Sequence, residues 1–129
     1  MRLEPGQTIA VVGLSAKPDR PSFDVARAMQ RSGFVIVPVN PQYAGQTILG
    51  EHCYASLLDI ERPVDIVDCF RKSEDMPAVA REAIAMTPPP KALWMQMGIA
   101  NAEARAIADQ AGIEVIEDTC IKIAFYNQR

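Results

Sequence analysis

Between residues 13 and 22 the chain reads Gly13-Leu14-Ser15-Ala16-Lys17-Pro18-Asp19-Arg20-Pro21-Ser22, a mixture suited to holding phosphate. A glycine lets backbone approach an anion, Ser15 and Ser22 carry hydroxyl donors, and Lys17 and Arg20 bring positive charge. A helix opening after this loop would add unpaired amides at its positive end. The same residues also fit a tight turn with solvent-facing cations, and the local pattern leaves both readings open. The segment is neither the full dinucleotide glycine signature nor a GxxxxGK[ST] phosphate loop.

Other residues suggest covalent or acid–base chemistry. His52 and Cys53 supply a base and a thiol side by side, but adjacency in sequence fixes no useful geometry. Asp65, Asp68, Glu117 and Asp118 would make an acid–base set only if the fold converged them and perturbed their pKa values. Cys53, Cys69 and Cys120 are widely spaced and odd in number, matching neither a disulfide framework nor a zinc motif. Buried free thiols are expected, and no metal site.

Composition narrows the partners. The 129 residues carry 13 basic and 16 acidic side chains for a formal net charge of -3, with no basic stripe to track a nucleic acid. Hydrophobic residues make up 49% and charged ones 22%, an ordinary soluble balance. No apolar run approaches the roughly 20 residues of a membrane span. The opening Met-Arg-Leu-Glu-Pro-Gly lacks the basic-then-apolar order of a secretion signal, so a cytoplasmic protein with no membrane partner is expected.

The elements that must position these residues alternate. Residues 8–12 form a short apolar run that reads as a buried strand, and Ser22 is placed to cap a helix that Gly33 ends. A second strand covers 34–39, with Pro38 expected near its carboxyl end, and 40–50 reads as an extended loop. Residues 55–60 read as one or two helical turns, 64–70 as a third strand, and 73–86 as a helix packing through Met76, Val79, Ala80 and Ala83. A fourth strand at 92–96, a helix capped by Asn101 and stopped by Gly112, a fifth strand at 113–116 and a short terminal helix complete the order.

Five apolar strands alternating with helices predict an α/β fold: a Rossmann-like doubly wound sheet of about five parallel strands with helices on both faces, one domain over 1–129. Ligands in such folds collect at the carboxyl ends of the strands, which singles out the loops at 13–20, 40–50, 70–73, 96–101 and 117–120. An ordinary NAD site commonly has an acid at the end of the second strand, where this chain has Asn40-Pro41. Asn40 suits contact with a nucleotide and equally suits fixing the turn.

Taken together, Val12-Gly13-Leu14-Ser15, Arg20-Pro21-Ser22, Ile36-Val37-Pro38-Val39-Asn40-Pro41, Gly50-Glu51, Val64-Asp65-Ile66-Val67-Asp68, Phe70-Arg71, Trp94-Met95-Gln96-Met97-Gly98-Ile99 and Asp118-Thr119-Cys120-Ile121-Lys122 extend from residue 12 to 122. This set resembles the small CoA-binding-domain family, which is itself similar to the nucleotide-binding amino-terminal domain of the succinyl-CoA synthetase alpha subunit. The resemblance implies coenzyme A as cofactor, with CoA or an acyl-CoA as ligand. It puts Gly13, Ser15, Arg20 and Ser22 in a phosphate-facing loop, beside the further cation Lys17. Asn40 and Pro41 would border the nucleotide side, and Phe70, Arg71 and Ser73 would form the next wall, with Arg71 able to pair with phosphate. Gln96, Met97, Gly98 and Ile99 would approach the pantetheine arm, and Cys120 could face the cleft.

The synthetase subunit has a second domain bearing a histidine phosphorylated during turnover, and nothing here matches that domain. His52 therefore reads as a surface or turn residue, and binding without autonomous catalysis is the expectation. The alternatives are an NAD-linked oxidoreductase and a regulatory partner protein that senses CoA; a protein partner or a homo-oligomer is compatible with each.

Overall fold

A computed structural model describes residues 1–129. In chain order it contains β1 (Thr8–Val12), α1 (Pro21–Arg31), β2 (Val35–Val39), β3 (Thr47–Ile48), β4 (Glu51–His52), β5 (Ile66–Cys69), α2 (Met76–Ala85), β6 (Ala92–Met95), α3 (Ala102–Gln110), β7 (Glu114–Ile116) and α4 (Ile121–Asn127). Short 3-10 turns occur at Pro41–Tyr43, Leu57–Asp59 and Ser73–Asp75.

Five strands pair in parallel in the order β2-β1-β5-β6-β7. Counted along the chain this is the 2-1-3-4-5 order of doubly wound sheets, and the winding reverses between β1 and β5. The two-residue period of the strands explains the layers. Ile9 and Val11 face α1 and α4 together with Ile36, Ile66 and Trp94, while Ala10 and Val12 face α2 and α3 together with Val37, Val67 and Leu93. Both faces are covered, so the strands are apolar on both sides instead of alternating.

The proline in β2 is tolerated because β2 is an edge strand. Pro38 pairs with Val11 on the inner side, and on the outer side its carbonyl accepts from the Tyr54 amide at 3.0 Å. The Asn40 amide donates back to the Tyr54 carbonyl at 2.9 Å, so this short bridge covers part of the exposed edge.

Two local expectations differ from the structure. The stretch 40–50 is more than an extended loop: it holds a 3-10 turn and half of the antiparallel β3–β4 hairpin, which turns at Leu49-Gly50 with both φ positive (55° and 78°). Two-residue strands are too short to show an alternating pattern. Leu49 in this conformation is held by the Gln30 Nε2 donor on its carbonyl at 2.9 Å. Secondly, Ser22 does not cap α1. The cap position is Arg20, two residues earlier, and the helix opens at Pro21, whose fixed φ favours the first helical position, so Ser22 lies inside the first turn. Asn101 does cap α3, its Oδ1 accepting from the Ala104 amide at 2.9 Å.

Candidate ligand-binding cleft

The point where the winding reverses is built by the ends of β1 and β5. Gly13 follows β1 with φ +88°, and a Cβ at this position would lie 2.8 Å from the Phe70 carbonyl oxygen. Glycine is thus needed for the close approach of two backbones, which sets the β1–α1 loop directly against the end of β5. Within that loop the Ser15 amide donates to Ser22 Oγ at 3.0 Å, and the Lys17 amide donates to Ser15 Oγ at 3.1 Å. Each hydroxyl oxygen accepts one bond and keeps its own hydrogen for an external acceptor.

The first intrahelical bond of α1 runs from the Asp24 amide to the Arg20 carbonyl at 3.1 Å. Pro21 has no N–H, so Ser22 and Phe23 carry the orphan amides of this helix end. Lys17 and Arg20 are exposed and have no carboxylate within ion-pairing distance. Positive charge, hydroxyl donors and helix amides therefore converge without an internal anion.

These groups border a polar cleft of about 440 Å³. Of the residues singled out from the sequence, Gly13, Ser15, Lys17, Arg20, Ser22, Asn40 and Phe70 line it. Pro21, Gln42 and Tyr43 line it too, and sequence reasoning missed them. Gln42 and Tyr43 follow Asn40 in the 3-10 turn, so only their place after β2 could have signalled them. A second, mostly apolar compartment of about 270 Å³ adjoins across the shared residues Pro21 and Phe70, and includes Gln96, Met97, Ile99 and Cys120.

Pro41, Arg71, Ser73 and Gly98 lie outside both linings. Pro41 is exposed at the start of the 3-10 turn. Arg71 packs its stem beneath Gly13, with Cδ 3.2 Å from where a Cβ would be, and its guanidinium reaches Asp75 at 3.4 Å. Ser73 Oγ accepts from the Ala100 amide at 3.2 Å, and its carbonyl accepts from Asn101 Nδ2 at 3.0 Å. The Gly98 amide donates to Asp118 Oδ1 at 2.6 Å. These polar groups tie neighbouring loops to one another. Asn40 does the same from within the cleft: its Oδ1 accepts from the Gln42 amide and its Nδ2 donates to the Leu14 carbonyl, both at 3.0 Å.

The residues that suggested acid–base or nucleophilic chemistry are dispersed. His52 is exposed on β4, edge-on to the Tyr54 ring at 4.8 Å between centroids. Cys53 is fully buried beside it, and burial pushes its thiol pKa up. Asp65 accepts from the Thr8 amide at 2.8 Å and pairs with Lys91 at 3.4 Å. Asp68 lies 1% exposed within β5, with Oδ1 unpartnered, and burial holds its pKa well above the usual carboxylate range against a smaller opposing effect of the Cys69 amide. The adjacent Cys69 thiol is pushed well up, first by burial and then by Asp68.

Glu117 accepts from Arg105 at 2.7 Å and from the Asn101 amide at 3.1 Å. That bond to Glu117 is the main cause of the raised Arg105 pKa. None of the four acids lines either compartment. Cys53 and Cys69 are buried free thiols as expected, whereas Cys120 is half-buried because it borders the apolar compartment. No helix is long and apolar enough to cross a membrane, and no group of three or more His, Cys, Asp or Glu side chains is arranged to hold a metal ion.

Comparison with known proteins agrees with this architecture. The Bacillus subtilis (strain 168) protein YneT, itself uncharacterized, is 44% identical over 122 residues, covering 95% of this chain and 87% of YneT. A solved Thermus thermophilus structure superposes with a TM-score of 0.86 at 37% identity, covering 92% of this chain and 87% of the other. An ADP-forming acetate–CoA ligase of Archaeoglobus fulgidus is 33% identical over 78 residues, which are 59% of this chain and only 11% of that enzyme. The family described as "CoA binding domain" matches residues 7–126, which contain the whole doubly wound sheet, and the chain belongs to that CoA-binding-domain family.

Proposed function

We propose that residues 1–129 act as one CoA-binding unit, holding coenzyme A or an acyl-CoA in the cleft at the ends of β1 and β5, without catalysis of its own. The observation that carries this reading is that Lys17 and Arg20 have no carboxylate partner, beside the free amides at the start of α1. A cation without an internal partner, next to hydroxyl donors, suits an anionic ligand with several phosphate oxygens. Coenzyme A joins such a polyphosphate end to a thiol-bearing arm. Here the polar cleft suits the polyphosphate end, and the arm would leave it past Phe70 toward the adjoining apolar compartment.

In this reading Lys17, Arg20, Ser15 and Ser22 hold phosphates, Gln42 and Tyr43 border the nucleoside, and Phe70 gives the arm an apolar turning point. Family membership supports CoA over other nucleotides, and the Archaeoglobus relative is a CoA ligase. Asn40 supports the same choice over NAD. At the end of β2 both ends of its amide are engaged in fixing loops, leaving no acid to hold a ribose. That His52, Asp65, Asp68 and Glu117 line neither compartment supports a binding role, in which a partner protein reads the bound state. Three unbridged cysteines suit a reducing, cytoplasmic compartment.

Calorimetry of the ligand-stripped protein with CoA and NAD in parallel tests the reading. Saturable one-site CoA binding that weakens as salt rises is the expected result. Binding of NAD with none of CoA would overturn it.

A further inference from the structure

We infer that the apolar compartment is an acyl-chain site, and that the preferred ligand is a CoA thioester with a short aliphatic acyl group whose carbonyl is held by Gln96. The inference rests on the CoA reading of the adjoining cleft. The compartment has about 270 Å³, with walls that include Val25, Met97, Ile99 and Ile123. Its one amide or charged side chain is Gln96, which is only 4% exposed. Gln96 Oε1 accepts from the Ile121 amide at 2.9 Å, which fixes the orientation of the side-chain amide because only the oxygen can accept. Its Nε2 has no hydrogen-bond partner and is the donor left for an occupant of the compartment.

That combination discriminates between ligand parts. A pantetheine arm carries two amides, each needing donor and acceptor partners, and the side chains here offer one strong donor and no strong acceptor. A free thiol would leave both the apolar wall and the Gln96 donor unmatched. A thioester carbonyl followed by a hydrocarbon chain matches each: one acceptor for Nε2, then apolar surface. The outer wall adds to this, since Met97 is 64% exposed and Ile123 49% exposed, and an acyl chain lying along them would remove both from water.

The test is a calorimetric series of CoA, acetyl-CoA, butyryl-CoA and hexanoyl-CoA, with the S-butyl thioether of CoA as the analogue that lacks a carbonyl. Affinity is expected to rise along the series by roughly threefold to fourfold per buried methylene. The thioether should bind about threefold to tenfold more weakly than butyryl-CoA, the size of one lost hydrogen bond. Ile123→Ser and Met97→Ser, both at exposed positions, should each lower the ratio of hexanoyl-CoA to CoA affinity. A flat or falling series with CoA still bound overturns the acyl site and leaves the CoA reading standing. A rising series that neither serine variant changes also overturns it, because the chain then lies elsewhere. A flat series with a dimer that Ile123→Ser splits assigns the patch to a second copy and overturns it too. Binding of no member, CoA included, removes the underlying reading as well.

Discussion

Two groups of loops sit at the carboxyl edge of the sheet with similar residues and opposite economies of charge. In the β1–α1 loop, Lys17 and Arg20 face a cleft with no carboxylate partner, and the hydroxyls of Ser15 and Ser22 keep their hydrogens. In the loops after β5, β6 and β7, four polar groups meet partners within the fold: Arg71 with Asp75, Ser73 with Ala100, Gly98 with Asp118, Glu117 with Arg105. These four contacts brace the second group, while the polar groups of the first stay open to a ligand. Strand-end position alone does not make a binding residue; what matters is whether the fold has already satisfied the group.

The sharpest way to break that contrast is through its glycines. Both Gly13 and Gly98 have positive φ, +88° and +84°. A Cβ at Gly13 would meet the Phe70 carbonyl, whereas one at Gly98 meets nothing within 4 Å. Gly13→Ala is expected to cost about 3 kcal/mol, combining backbone strain with a clash against backbone that cannot move aside. Gly98→Ala should cost only about 1 kcal/mol, from strain alone. Urea unfolding midpoints of the two variants, measured side by side, decide the point. Equal costs would mean that the junction of β1 and β5 is not the close-packed one.

Burial without pairing is a third condition, and Asp68 isolates it two residues before Phe70. Because burial raises its pKa in the folded state, the folded protein keeps a proton that the unfolded chain releases near its ordinary pKa of about 4. Between those two values the unfolded state binds fewer protons, so stability falls as pH rises, with a limiting slope of about 1.4 kcal/mol per pH unit. Asp68→Asn should flatten the profile, so that its stability relative to wild type improves as pH rises from 5 to 7. Unfolding midpoints at the two pH values read this directly. The range stays below pH 8 because the buried thiols of Cys53 and Cys69 act with the same sign above it.

The two arginines test the contrast through the ligand. Arg20 lines the cleft, and Arg20→Ala should weaken CoA binding by about tenfold with a shallower salt dependence. Arg71 is paired with Asp75 outside the lining, and Arg71→Ala should leave affinity within about twofold. Calorimetry at two salt concentrations separates them. A larger loss at Arg71 would show that its ion pair opens to reach the ligand.

Much of this was legible in the sequence. The five apolar runs, their alternation with helices and the cap at Asn101 follow from periodicity and from local hydrogen-bonding chemistry, and each is present in the structure. The polar cleft was legible in outline because Gly13, Lys17 and Arg20 lie in one short loop. Three things were not. The β3–β4 hairpin has strands of two residues, too few to set a period. The helix cap moved from Ser22 to Arg20 because Ser22 as a cap and Pro21 as a first helical residue both favour helix openings, and only the folded backbone chooses between them. Arg71, Ser73 and Gly98 sit at strand ends as a ligand site requires, but their partners Asp75, Ala100 and Asp118 are 4, 27 and 20 residues away. Only the closed fold shows those contacts.

The smallest effect tests the brace itself. Ser73 Oγ accepts the Ala100 amide and so joins the loop after β5 to the loop after β6, while its carbonyl holds the cap residue Asn101. Ser73→Ala removes the first bond and leaves the second, so about 1 kcal/mol of stability should be lost, the usual net value of one such bond. Because Ser73 lines neither compartment, CoA affinity should stay within about twofold of wild type. Urea unfolding and calorimetry on the same preparation give both numbers. A loss of affinity exceeding the loss of stability would place Ser73 against the ligand, and the division between brace and open loop would have to be redrawn around the end of β5.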